Sequence, residues 1–387
     1  MSKIDIKKSW KYDESLESTS HIKLKDKYDL FIGGEFVKPL SKKHFNTLNP
    51  ATNQSIAKIA DANDKDIDKA VKSARKAFKS WSKLDSKERG KYIFRIARMI
   101  QERAKEFAVI ESMDGGKPIR ESRDIDVPLA AHHFFYHAGW ADKLEYAFPN
   151  KKPTPLGVAG QIIPWNFPLL MAAWKIAPSL AVGCSAVIKP AEQTPLSTIR
   201  LAELMHEAGV PPGVINIVPG YGETAGKAIG LHNDIDTVSF TGSTEVGRMF
   251  MRYSGDSNLK GVGLEMGGKS PFIVLEDAAI NDELIEHAAM SAFWNGGQNC
   301  SANMRQLIAK PLVDEFTGRI LDRVKAFKLG DPLDPATDIG SMITKDHKEL
   351  VMSYIQSGMD EGAEMVTGGE SDLPGYFINP TVFQNVK

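Results

Sequence analysis

Residues 157 to 168 read GVAGQIIPWNFP: an apolar run that ends at two prolines enclosing Trp165, Asn166 and Phe167. The run is short and rich in Val and Ile, as expected of a buried strand ending near Ile163. Phe167 must stay out of the helical region before Pro168, and a helix can begin at that proline. Asn166 is thereby held at the mouth of a strand-to-helix turn. Its amide either donates to a developing oxyanion or merely closes the turn, and the local sequence does not choose between them.

Further apolar runs, AVIKP (186–190), VINIV (214–218), DTVSF (236–240) and PFIVL (271–275), alternate with helical stretches. Thr194 and Pro195 are expected to cap and start one of these helices, and Gly209 to end it. Strands separated by helices imply βαβ units and a parallel sheet, hence an α/β fold. Ligands of such sheets bind beyond the carboxyl ends of the strands. Upstream, Ala70, Val71, Ala74, Ala77, Phe78 and Trp81 share one helical face. A second amphipathic helix runs through Ile93, Phe94, Ala97, Ile100, Ala104, Phe107 and Ala108 and closes at Gly115-Gly116. Residues 1–27 are polar and aperiodic and read as an arm whose order depends on docking.

The 387 residues suggest roughly two to three domains at about 150 residues each. Lys plus Arg number 48 and Asp plus Glu 49, a balance that favours small partners over nucleic acid or anionic membrane. The charged start MSKIDIKKSWKYDESLE has no apolar signal core. The longest apolar run, Leu169 to Val182, is interrupted by Lys175 and Pro178 and is too short to span a bilayer. Two cysteines cannot build a disulfide framework, which fits a reducing cytoplasm.

The strand ends carry the chemistry. Lys189 and Glu192 follow AVI, where they are either solvated surface or a ribose contact. Gly242, Ser243 and Thr244 open a helix, either as a phosphate cradle or as a plain helix cap. LEMGGKSP places Glu265 before Gly267-Gly268, and GGQNCSAN (296–303) holds Cys300. Cys184 lies in LAVGCSAVI and fits an inert buried thiol, whereas Cys300 is either another such thiol or a nucleophile served by Glu265 as base. His133 and His137 have the spacing of a zinc pair, but the FFY between them supplies no acid, so packing is expected and no metal site.

Taken in order, PWNFP, IKPAEQTP, FTGSTEVG, LEMGGKSP and GQNCSAN resemble the aldehyde dehydrogenase superfamily, and YDLFIGGEFV, AGWADK and GYFINPTVF extend the likeness from Tyr28 to the end. The resemblance implies a parallel-sheet, Rossmann-like NAD-binding domain over 28–125 and 151–265. It also implies a shortened oligomerisation segment at 126–150 and a second α/β catalytic domain over 266–387, incomplete at its end. It implies Cys300 as nucleophile, Glu265 as the base of deacylation, and Asn166 with the Cys300 N–H as oxyanion hole. Cofactor contacts implied are Trp165, Lys189, Glu192, Gly222, Gly242, Ser243 and Met266, with NAD favoured over NADP because Glu192 repels a 2′-phosphate. The implied reaction is oxidation of a small-molecule aldehyde to a carboxylic acid by a cytoplasmic homodimer or homotetramer, with no nucleic-acid or membrane partner. Three departures accompany the likeness: the short segment 144–155, Ser341 in place of a proline after Gly340, and an end at Lys387 ahead of the family's E-x-F-G-P segment. The last carries an alternative expectation, a fragment or pseudoenzyme that works only beside an intact homologue.

Overall fold

The computed structural model describes residues 15–386. Five short strands come first: β1 (Lys27–Tyr28), β2 (Leu30–Ile32), β3 (Glu35–Val37), β4 (His44–Asn49) and β5 (Gln54–Ala60). Residues 15–27 of the expected arm run against the chain's own body, where Glu17 pairs with Lys105 at 2.8 Å and its N–H donates to the Leu333 carbonyl; the arm's first fourteen residues lie outside the described ones.

Helix α1 (Asp64–Trp81) starts on a reciprocal cap: the Asn63 side chain accepts from the Lys65 and Asp66 N–H groups, and the Asp66 carboxylate accepts from the Asn63 N–H. The second periodic run becomes two helices, α2 (Ser86–Glu102) and α3 (Ala104–Gly115). Arg103, at φ −113° and ψ 22°, leaves the helical region, so Phe107 reaches the core along a new axis. Gly116 closes α3 in the left-handed conformation, φ 71°. The single helix expected through Ala108 is corrected accordingly.

Next come α4 (Ile119–Glu121), α5 (Val127–Trp140) and α6 (Leu144–Ala147). Within the segment expected to serve oligomerisation, α5 buries Val127, Ala130, Ala131 and Phe134 in the main core beside residues of α2 and α7 (Pro168–Ala181). The following elements are β6 (Val158–Ile162), β7 (Ser185–Lys189), α8 (Leu196–Glu207), β8 (Ile215–Ile217), α9 (Lys227–Leu231), β9 (Thr237–Gly242), α10 (Thr244–Gly255) and β10 (Gly261–Met266).

One sheet runs β10-β9-β6-β7-β8-β2-β3, and its first five strands are parallel, as βαβ units require. β6, β7 and β8 are wholly buried because both faces are covered. Alternation divides them: Ala159, Ala186 and Ile188 join the core under α2, α5, α7 and α8, while Val158, Ile162 and Val187 join a second core with α1. Thr194 does not cap α8 as expected. Its hydroxyl donates to the Trp165 carbonyl, and the buried Asp114 carboxylate accepts from the Leu196 N–H instead. Gly209, at φ 84°, does end that helix region.

The remaining elements form a smaller unit of β11 (Pro271–Val274), α11 (Asp282–Phe293), β12 (Arg305–Ile308), α12 (Val313–Lys325), α13 (Lys345–Asp360), β13 (Glu364–Glu370) and β14 (Ile378–Gln384). β11 pairs parallel with β12, and β13 antiparallel with β14. Among the described residues no helix is long and apolar enough to cross a membrane.

Candidate active site

Ile162, Lys189 and Gly242 are the last residues of three neighbouring parallel strands, and all three line one cavity of about 960 Å³ closed on its far side by the smaller unit. Trp165, Asn166, Glu192, Gly222, Ser243 and Cys300 share its walls. The strand-end rule thus gathers most of the expected site residues in one place.

Cys300 is exposed to this cavity, whereas Cys184 is buried and its thiol is pushed up by desolvation. The loop before Cys300 turns through three left-handed residues, Asn295, Gly296 and Gly297, with φ of 54°, 64° and 78°. Asparagine and glycine are the residue types that take this conformation at least cost. The loop is tied to the PWNFP turn: the Asn166 amide donates to the Gln298 carbonyl at 3.0 Å, and the Asn295 amide donates to the Asn166 carbonyl at 3.1 Å. Gln298 is buried, with its amide oxygen accepting from the Ile343 N–H. Because an amide nitrogen carries two hydrogens, Asn166 keeps one for a ligand oxygen.

At the other end, the Lys189 ammonium pairs with the Glu192 carboxylate at 2.9 Å and donates to the Pro190 carbonyl. Ser243 caps α10 by accepting from the Val246 N–H, so the cap reading holds for its hydroxyl. A Cβ on Gly242 would stand 2.6 Å from the Phe240 ring. On Gly222, Gly267 or Gly268 it would meet nothing within 4 Å, so the backbone there is open to a close-lying ligand.

Two expected residues stand off the walls. Glu265 and Met266 are exposed on β10, at the edge of the sheet, and only their successors Gly267 and Gly268 reach the cavity. Met266 lies against Gly247 of α10 instead. Glu265 is paired in register with Thr241, whose hydroxyl accepts from the buried Lys175 ammonium at 2.5 Å. Burial brings Lys175 down to about 8, with the Glu265 charge acting the other way.

The profile that describes the "Aldehyde dehydrogenase family" matches residues 36–387. The chain belongs to the aldehyde dehydrogenase family. It is 44% identical over 370 residues to "Aldehyde dehydrogenase, mitochondrial" of Rattus norvegicus, covering 92% of this chain and 71% of that one. It is 45% identical over 370 residues to "Retinal dehydrogenase 2" of Homo sapiens, again covering 92% and 71%. The solved "NAD+ complex structure of aldehyde dehydrogenase from bacillus cereus" superposes with a TM-score of 0.90 at 41% identity, covering 95% of this chain and 78% of that one.

Two residues at or behind the cavity wall belong to none of the motifs. Lys175 is the lone charge in α7, PLLMAAWKIAPSLA, and that isolation is a signal. His347, in the first turn of α13, lines the cavity with its ring 5.1 Å from that of Trp165, and burial lowers its pKa. Nothing in its neighbourhood in the chain marks it. His133 stacks on Trp174 at 5.5 Å, and His137 Nδ1 lies 2.8 Å from the His133 carbonyl. Among the described residues no group of three or more His, Cys, Asp or Glu is placed to hold a metal.

Proposed function

We propose that this chain oxidises aldehydes to carboxylic acids with NAD, using Cys300 as nucleophile. The observation that carries the proposal is the exposed Cys300 thiol on the strand-end cavity, in a loop hydrogen-bonded to the Asn166 amide. The Cys300 thiol passes its proton to solvent water, and the sulfur bonds to the aldehyde carbon as the C=O π bond opens onto oxygen. The resulting oxyanion accepts N–H groups from Asn166 and the Cys300 backbone, donors fixed in advance by the turn and the loop. NAD, when bound, supplies the acceptor for the hydride that this carbon loses. Cys300 is then left as a thioester. Glu265, next to the glycines that reach the cavity, takes a proton from water as the water attacks, freeing the acid and the thiol.

The cavity fits a dinucleotide through its open glycine backbone and its polar pair. Lys189 and Glu192 would hold the adenine ribose, with Trp165, Gly222, Gly242 and Ser243 supplying further contacts. The Glu192 charge disfavours a 2′-phosphate, hence NAD over NADP. Residues 28–125 and 151–265 form the cofactor domain in this reading, 266–387 the catalytic domain, and the working form is a cytoplasmic homo-oligomer. The test is steady-state NADH formation from an aliphatic and an aromatic aldehyde, with the acid product quantified, for the parent and Cys300→Ala. One acid per NADH, abolished in the variant, is expected. Turnover retained by the variant, or none in the parent, contradicts the proposal.

A further inference from the structure

One buried carboxylate lies behind the cavity wall rather than on it. Glu121, in α4, is 4% exposed, and burying a carboxyl costs free energy unless its oxygens are engaged. Both of its oxygens lie 3.0 Å from one donor, the backbone N–H of Asn295. Asn295 is the left-handed residue at which the nucleophile loop turns, and its amide reaches the Asn166 carbonyl at 3.1 Å and the Gln298 carbonyl at 3.3 Å. The same buried layer holds the other half of the site, since the Lys117 ammonium, paired with Asp126, lies 3.7 Å from the centre of the Phe167 ring, next to Asn166.

We propose that Glu121 is a positioning residue: by anchoring Asn295 it sets the Cys300 loop in register with Asn166. The inference rests on the proposed role of Cys300. Glu121 touches no wall of the cavity, so its effect falls on the chemical step rather than on cofactor binding. Displacing a reacting group by about 1 Å can cost about 10²-fold in rate, which sets the scale for losing the anchor. Burial also raises the Glu121 carboxyl to about 8, so near neutral pH it is largely the uncharged acid. A glutamine keeps that shape and one acceptor oxygen.

The experiment compares parent, Glu121→Ala, Glu121→Gln and Asn295→Gly in kcat, in KM for NAD, and in backbone hydrogen exchange over residues 292–303. Glycine suits the left-handed backbone of Asn295, so that variant removes the side-chain bridge with little strain and stands in if Glu121→Ala fails to fold. Expected are kcat losses of about 10- to 100-fold in Glu121→Ala and Asn295→Gly with KM for NAD within about threefold. Faster exchange in the loop of Glu121→Ala and near-parental kcat in Glu121→Gln complete the expectation. A folded Glu121→Ala with parental kcat and loop exchange overturns the proposal, as does a rise in KM at constant kcat, or a parental kcat in Asn295→Gly. A parent without turnover sinks the role of Cys300 instead, and loop exchange in Glu121→Ala then still decides the anchoring: unchanged protection overturns it.

Discussion

At the scale of single residues, the two cysteines separate cleanly. Cys300 is exposed on the cavity and Cys184 is buried with a raised thiol pKa, so brief iodoacetamide treatment followed by peptide mass mapping should find the label on Cys300. Preferential labelling of Cys184 would reverse the assignment. Glu192 bears on the cofactor: with Glu192→Ser, the KM for NADP relative to NAD should fall roughly tenfold, and an unchanged ratio would remove this residue from discrimination. Residues at strand ends were legible in the sequence because a turn signal marks each of them, as Pro164 and Pro168 bracket Asn166. Glu121 was not legible. Its partner Asn295 is 174 residues away, and no local pattern distinguishes a buried anchor from a surface acid.

At the scale of elements, α3 carries two buried acids, Glu111 and Asp114, each raised by desolvation to about 7. Between the ordinary carboxyl range and pH 7 the folded state holds protons that the unfolded chain has lost. Stability from these groups is therefore full at acid pH and declines as pH rises through 7, by on the order of a few kcal/mol. The urea midpoint should be lower at pH 8 than at pH 5.5, and Glu111→Gln should flatten the difference; a midpoint that rises over this interval refutes it. Asp114 also accounts for the start of α8: the Thr194-Pro195 pattern marks the place, but the Leu196 N–H is taken by an acid distant in sequence. The pair β11 and β12 makes a different expectation. Ile273 and Leu307 stand in register on the outer face, 61% and 50% exposed, while Val274 and Phe272 face the core of the smaller unit. A two-stranded sheet with an apolar outer face favours association. Sedimentation should show concentration-dependent self-association that Leu307→Lys weakens, and a parent monomeric throughout would contradict this.

At the scale of the whole molecule, the parallel sheet is packed on both faces, whereas the smaller unit rests on fewer buried side chains. Hydrogen exchange should therefore persist longest in β6, β7 and β9 and fade first in β13 and β14; the opposite order would mean the smaller unit is the stable one. The alternation of strand and helix made the large sheet readable in advance, while the division between the two units depends on which faces meet. The cavity lies where they meet, and the proposed chemistry requires Cys300 to become acylated there. Oxidation of an aldehyde RCHO on the thiol leaves Cys300–S–CO–R, a gain of the aldehyde less two hydrogens, with the hydride passing to NAD. The direct measurement is acid-quenched mass spectrometry of the chain after mixing with aldehyde, with and without NAD, followed by peptide mapping. That mass is expected on the Cys300 peptide only when NAD is present; NADH formation with no acyl group on Cys300, or an acyl group on another residue, would contradict the proposed role of Cys300.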